Sequence, residues 1–363
     1  MNTSPAACMS LRILGPRFGV IAHDHLQAQR RLDSPQRRAG LALLIAALVA
    51  LPFAGNDYVV YMACLTALAV ISVVGLNILT GYTGLLSIGH AAFNGIGAYG
   101  YALAAGSLGL PFWIAIPLGG LLAALAGVIV GLPSLRIKGL YLAIATLAAQ
   151  YIFLFVAQHW ESVTGGDRGL QVASPVIAGL RLDSDFRLYW LIVPVTVVMC
   201  VFAANLFRTR IGRAFIAVRE RDYSAEVLGI DLLRTKLLAF AIASFYAGIT
   251  GALMACFFRV VNPEQYTFTA SIFQLTAVIV GGLGSVLGSI LGAVFMVVVP
   301  ELLKAVVSIL AGADAARTAV LLASARELVF GLLIVAFLLF EPYGLAEIVR
   351  RIRMSLAQWP LRT

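Results

Sequence analysis

The sequence predicts an all-α polytopic membrane protein with about ten transmembrane or membrane-embedded helices. Two observations carry this. Of the 363 residues, 61% are hydrophobic and only 12% charged, against about 45–50% and about 25% in a soluble domain, so the apolar surplus exceeds what one water-soluble core can bury. The charged residues are also clustered, leaving runs of the roughly 20 residues that a bilayer crossing needs. These runs are continuously apolar, whereas strands of a membrane barrel alternate apolar and polar positions over about ten residues.

The elements follow in chain order. Residues 1–38 lack the apolar core and small-residue cleavage site of a secretory signal and read as a disordered basic cytoplasmic tail. One span fits between Arg38 and Asp57, three between Asp57 and Arg136, one between Lys138 and Glu161 and one between Arg187 and Arg208. One more fits between Lys236 and Arg259, two between Glu264 and Glu301, and one between Glu327 and Glu341. The membrane domain is then 39–341, with a periplasmic loop at 159–187, a cytoplasmic segment at 208–231 and a second cytoplasmic tail at 342–363. With both termini inside, the inner segments hold 19 of the 26 Lys and Arg residues, as the positive-inside rule requires. The net charge of +9 therefore reads as topology and contact with membrane lipids. Scattered over four segments, it is no nucleic-acid footprint.

Several chemistries are excluded. Cys8, Cys64, Cys200 and Cys256 form no CxxC pair and read as small apolar fillers. His23, Asp24 and His25 in the tail could hold a metal only weakly, so neither a metal nor a cofactor is expected. No HExxH, GxSxG or P-loop pattern occurs, which argues against an enzyme. No Asp, Glu, Lys or Arg stands deep in a predicted span, although ion-coupled carriers commonly place one there. The chain reads as a path whose energy comes from a partner.

Membrane helices associate through small residues that let backbones approach. Ala239, Ala243, Ala247, Gly251 and Ala255 recur every four residues, as do Gly284, Gly288 and Gly292, and both stripes read as packing seams. The glycines from Gly75 to Gly100 are too dense and irregular for a seam and predict a broken helix. That stretch holds Asn77, Thr80, Ser87, His90 and Asn94, which must face protein or water. A second break, Gly281-Gly282-Leu283-Gly284-Ser285, follows Gln274 and Thr276. Paired glycine-interrupted segments in two halves of a chain point to a transport site near the bilayer midplane, so Asn77, His90, Asn94 and Gln274 are the candidate path residues.

The segment Arg208–Lys236 places Ile211, Phe215, Val218, Ala225 and Leu228 at helical spacing, with Arg213, Arg219, Glu220, Arg221 and Asp222 on other faces. Gly212 and Gly229 bound this amphipathic helix. Docked into a partner's groove, it would use the apolar residues as anchors and keep Arg219 and Glu220 at a solvated rim.

Gly75-Leu76-Asn77-Ile78-Leu79-Thr80-Gly81-Tyr82-Thr83-Gly84-Leu85-Leu86-Ser87-Ile88-Gly89-His90-Ala91-Ala92-Phe93, Thr164-Gly165-Gly166, Gly212-Arg213-Ala214-Phe215, Ala225-Glu226-Val227-Leu228-Gly229-Ile230 and Val280-Gly281-Gly282-Leu283-Gly284-Ser285 together carry a resemblance. Over most of residues 58–345 the chain resembles the permease subunits of bacterial branched-chain amino acid importers of the ATP-binding-cassette class, in their longer, M-type form. The resemblance implies an inner-membrane permease subunit paired with a second, H-type permease subunit, two cytoplasmic ATPase subunits that hydrolyse the ATP, and a periplasmic substrate-binding protein. It also implies a coupling element at Ala225, Glu226 and Gly229, joined to the anchors Ile211, Gly212, Phe215 and Val218. The same family serves urea, short amides and aromatic acids, so these solutes, or an ion-coupled secondary transporter, are the alternatives.

Overall fold

A computed structural model describes residues 46–53, 55–135, 137, 139–177, 180–311 and, past 327, residues 328–329, 331–332, 334–335, 339 and 344–358. The tail expected at 1–38, with Cys8, His23 and His25, lies outside the described residues. The first and last expected spans fall partly outside them.

Long apolar runs satisfy their backbone amides internally as helices, and the described residues are mostly helical. α1 (Asp57–Asn77) runs into a π-helical turn at Ile78–Tyr82, and α2 (His90–Gly106) follows an irregular stretch. α3 (Phe112–Gly131), α4 (Leu140–His159) and α5 (Asp185–Leu206) are predominantly apolar. α6 (Arg210–Glu220) and α7 (Asp222–Val227) are the polar helices. Then come α8 (Leu232–Phe258), α9 (Phe268–Gly281), α10 (Val286–Ala311) and α11 (Leu345–Gln358). Six helices among the described residues are long and apolar enough to cross a membrane: α3, α4, α5 and α8 over their full lengths, α1 with its π-turn, and α10 as far as Ala305. With 17 and 14 residues, α2 and α9 are shorter. The polytopic all-α class is thus observed, with six such helices among the described residues.

Charge gaps mark the helix ends imperfectly. α8 begins at Leu232 and takes in Arg234 and Lys236, and α10 runs through Glu301, whose carboxylate is 3.1 Å from Lys304 and accepts from the Tyr58 hydroxyl. Side-chain caps open three helices. Ser184 accepts from the amide of Arg187, Thr209 from that of Gly212 and Asp231 from that of Arg234, each filling an orphan donor of a first turn.

Between Asp57 and Ile348 the core gathers around α8, which packs on α1, α2 and α3. Ala239, Ala243, Ala247 and Ala255 are fully buried on it. A Cβ at Gly248 would stand 2.8 Å from the Gly120 Cα, and one at Gly119 2.5 Å from the Gly97 carbonyl, so glycine sets how closely α2, α3 and α8 approach. A Cβ at Gly251 would collide with the Asn94 carbonyl. α9 and α10 form a tight hairpin in which Gly288 and Gly292 face Gly281. Gly284 stands in the turn before α10 rather than on the helical stripe expected for it.

The loop between α4 and α5 carries short strands. β1 (Leu170–Gln171) pairs antiparallel with β4 (Val260–Val261), and β2 (Val176–Ile177) with β3 (Leu180–Arg181). Thr164 ties the start of this loop to α4, donating to the carbonyl of Ala157 at 2.7 Å or of Trp160 at 2.8 Å.

Candidate functional site

The two glycine breaks meet, and Asn77 joins them. Its Nδ2 donates to the Ser285 carbonyl at 2.9 Å and to Ser289 Oγ at 2.6 Å, and its Oδ1 accepts from the Gly284 amide at 2.9 Å. A residue expected on the solute path is a buried, fully engaged clamp. Gly84 and Gly284, one in each break, have φ of +74° and +76°, backbone conformations that only glycine adopts without strain. Between them lies Arg219 of α6. Its Nη1 donates to the Gly81 carbonyl at 2.5 Å, and its Cγ lies 3.3 Å from where a Cβ at Gly84 would be. Arg219 was expected at a solvated rim; although exposed overall, it touches both breaks, because α6 lies across them and helical periodicity does not say what a polar face meets.

The buried N-terminus of α2 needs partners for its first amides, and other helices supply them. Ile88 donates to Thr146 Oγ1 at 3.0 Å, Ala91 to Ser271 Oγ at 2.9 Å and Ala92 to Gln150 Oε1 at 2.8 Å. Ser271 Oγ also donates to Gln150 Oε1 at 3.1 Å, and Gln150 Nε2 donates to the Tyr266 carbonyl. Gln150 is fully buried and ties α2, α4 and α9 together. Burial, with a smaller push from Tyr99, raises the Tyr266 phenol above its ordinary range. His90 is fully buried at the first position of α2, beside the Ser72 backbone; neither ring nitrogen makes a hydrogen bond of good geometry.

Next to this knot lies a cavity of about 370 Å³, bordered by α1, α2, α8, α9 and α10. That volume is within the range of small-molecule sites, about 300–1,000 Å³. Ser72, Asn94, Thr250 and Gln274 give it neutral polar groups, and Met254 and Phe273 are among its apolar ones. Asn94 and Ser72 face each other, with the Asn94 Nδ2 3.3 Å from Ser72 Oγ, and Gln274 Oε1 is buried without a hydrogen-bond partner. No charged side chain lines it. Of the four expected path residues, Asn94 and Gln274 therefore share one cavity, while Asn77 and His90 are not on its wall.

The segment at 208–231 divides in two. On α6, Gly212, Phe215 and Val218 are buried in the chain itself, with Phe215 0% exposed, so these expected anchors are already occupied. The exposed apolar groups are Tyr223, Val227 and Leu228 at 78%, 89% and 78%; Ile211, Glu226 and Gly229 are also exposed, and Ala225 is buried. Gly229 has φ of +82° and open space around it. Lys236 Nζ lies 3.0 Å from Asp222 Oδ2 with both side chains largely buried, fastening α7 to α8. Among the described residues no group of three or more His, Cys, Asp or Glu could hold a metal.

Gln150, Thr146, Ser271 and Ser72 carry one sequence signal, that each is a polar residue inside an apolar run.

A model of the branched-chain amino acid transport system permease component matches residues 58–338. The chain belongs to this family. The permease is 35% identical over 316 residues to the high-affinity branched-chain amino acid transport system permease protein LivM of Escherichia coli (strain K12), covering 80% of this chain and 73% of that protein. It is 27% identical over 196 residues to the probable branched-chain amino acid transport permease protein LivM of Methanocaldococcus jannaschii, over 52% of this chain and 55% of that one. LivH of Salmonella typhimurium (strain LT2), the high-affinity permease protein of the same name otherwise, is 27% identical over 173 residues, 46% of this chain and 56% of that one. No solved structure matches. The permease is a multi-pass membrane protein and a transport component rather than an enzyme.

Proposed function

We propose that this permease forms the translocation path for branched-chain amino acids in an ATP-binding-cassette importer of the bacterial inner membrane. It works beside a second, H-type permease subunit, with two cytoplasmic ATPase subunits and a periplasmic substrate-binding protein. The relatives named for LivM and LivH support the substrate and the pairing. The observation that carries the reading is the cavity among α1, α2, α8, α9 and α10, whose neutral polar groups suit a zwitterion's head and whose Met254 and Phe273 suit a branched aliphatic tail.

Asn94 and Gln274 contact the solute in this scheme, Asn77 holds the breaks, and His90 belongs to the helix end beside them. Both termini and α6–α7 are cytoplasmic, a topology supported by the basic bias of 19 to 7. The ATPase docks on the tip formed by Tyr223, Val227 and Leu228, with Ile211, Glu226 and Gly229 beside it; their exposure supports this. In proteoliposomes bearing the assembled complex, Asn94→Ala, Gln274→Ala and the cavity-filling Met254→Trp should each lower leucine uptake while retaining all subunits. Normal uptake by all three would overturn the path assignment.

A further inference from the structure

We infer that Arg219 is the positioning residue through which the cytoplasmic segment acts on the transport path, holding both glycine breaks with one side chain. The inference rests on the reading of this chain as an ATP-driven permease.

Four observations support it. The Arg219 guanidinium donates to the Gly81 carbonyl, within the π-turn that ends α1, where a cation is favoured by the helix's terminal carbonyls. The same Nη1 lies 2.7 Å from where a Cβ at Gly284 would be, and the side-chain stem lies over Gly84. Asn77 links that spot to α10 through Gly284, Ser285 and Ser289, so a pull on one break is shared by the other. Finally, α1 reaches the cavity directly. From Gly81 back to Ser72, a cavity residue, the helix rises about 13 Å at about 1.5 Å per residue.

α6 is itself packed into the chain by Phe215 and Val218 and is followed by α7, which the Lys236–Asp222 pair fastens to α8. A displacement at the exposed tip of α7 therefore reaches α6, and Arg219 makes the side-chain hydrogen bond from α6 to the breaks. Its position in the chain, in the last turn of α6 and three residues before the start of α7 at Asp222, puts it where such a displacement enters. Gly81, Gly84 and Gly284 leave the room the side chain fills.

The test uses the full complex in proteoliposomes and reads leucine imported per ATP hydrolysed. R219M keeps the stem over Gly84 and removes the donor. It should retain the ATPase subunits and hydrolyse ATP while the uptake ratio falls about fivefold or more, the scale of one partly exposed charged hydrogen bond. R219K, which keeps a cationic donor, should recover more than half of that loss, as a purely steric role would not. Hydrogen exchange should quicken at 78–89 and 282–286 in R219M and nowhere else. A wild-type ratio in R219M overturns the inference, and so does loss of the ATPase subunits with no change in exchange. If R219M does not fold, R219Q takes its place under the same criteria. A wild-type complex that imports no leucine with ATP would instead overturn the proposed function, and the exchange pattern would then decide whether Arg219 holds the breaks.

Discussion

Asn77→Ala is the sharpest probe of the joint between the two breaks. Three hydrogen bonds go with the side chain, but they are not equivalent. The Ser285 carbonyl keeps the Ser289 amide at 2.9 Å, and Ser289 Oγ can still donate to Ser285 at 3.2 Å. The Gly284 amide loses its acceptor. A stranded donor costs about 1–3 kcal/mol when buried, and the Gly284 amide is partly so; each lost bond costs about 0.5–1.5, while interhelical hydrogen bonds in membranes measure near the low end, averaging about 0.6. The sum is about 2–4 kcal/mol by those figures. Thr66→Ala is the control, because Thr66 Oγ1 bonds only back to the Met62 carbonyl in its own helix. In purified permease, Asn77→Ala should melt several degrees below Thr66→Ala and exchange faster at 282–289. Equal melting with unchanged exchange would refute the clamp, and Asn77 would return to the solute path.

Other perturbations have distinct signatures. Gln150→Leu removes the acceptor for Ala92 and Ser271 and the donor to Tyr266, and should cost about 2–4 kcal/mol, measured by thermal unfolding, with uptake lost in parallel. Lys236→Met removes the ammonium 3.0 Å from the Asp222 carboxylate and should destabilise by about 1–3 kcal/mol; adding Asp222→Leu should restore part of that stability, which the same melts would show. The Cβ of Gly229→Trp meets no atoms, but the change forces a bulky residue to positive φ, costing about 1–2 kcal/mol. It should leave the spans folded and reduce uptake per ATP, whereas Gly229→Asn, which tolerates that conformation, should transport near normally. Full uptake with the Trp variant would remove Gly229 from the coupling role.

Which parts were legible in the sequence follows from the range of each interaction. Charge-free runs announce helices, because the bilayer excludes charge from a length that local composition records. Glycine density announced the breaks, since glycine permits the positive φ found at Gly84 and Gly284. The partners were not legible. Gln150 meets Ala92 across 58 positions and Ser271 across 121, and no local pattern encodes such a meeting. Periodicity likewise marks Phe215 and Leu228 alike as apolar-face residues, yet one is buried in its own chain and the other is exposed. Arg219 follows the same rule: its place on the polar face of α6 is local, and the Gly81 carbonyl it meets is 138 positions away.

The most direct test of the whole account is radiolabelled leucine uptake by proteoliposomes containing the permease with its partner subunits and binding protein, compared with vesicles holding the permease subunits alone. Uptake should require enclosed or external ATP on the ATPase side and should vanish without the ATPase subunits, whatever proton or sodium gradient is imposed. Gradient-driven leucine accumulation by the permease subunits alone would contradict it and identify a secondary transporter.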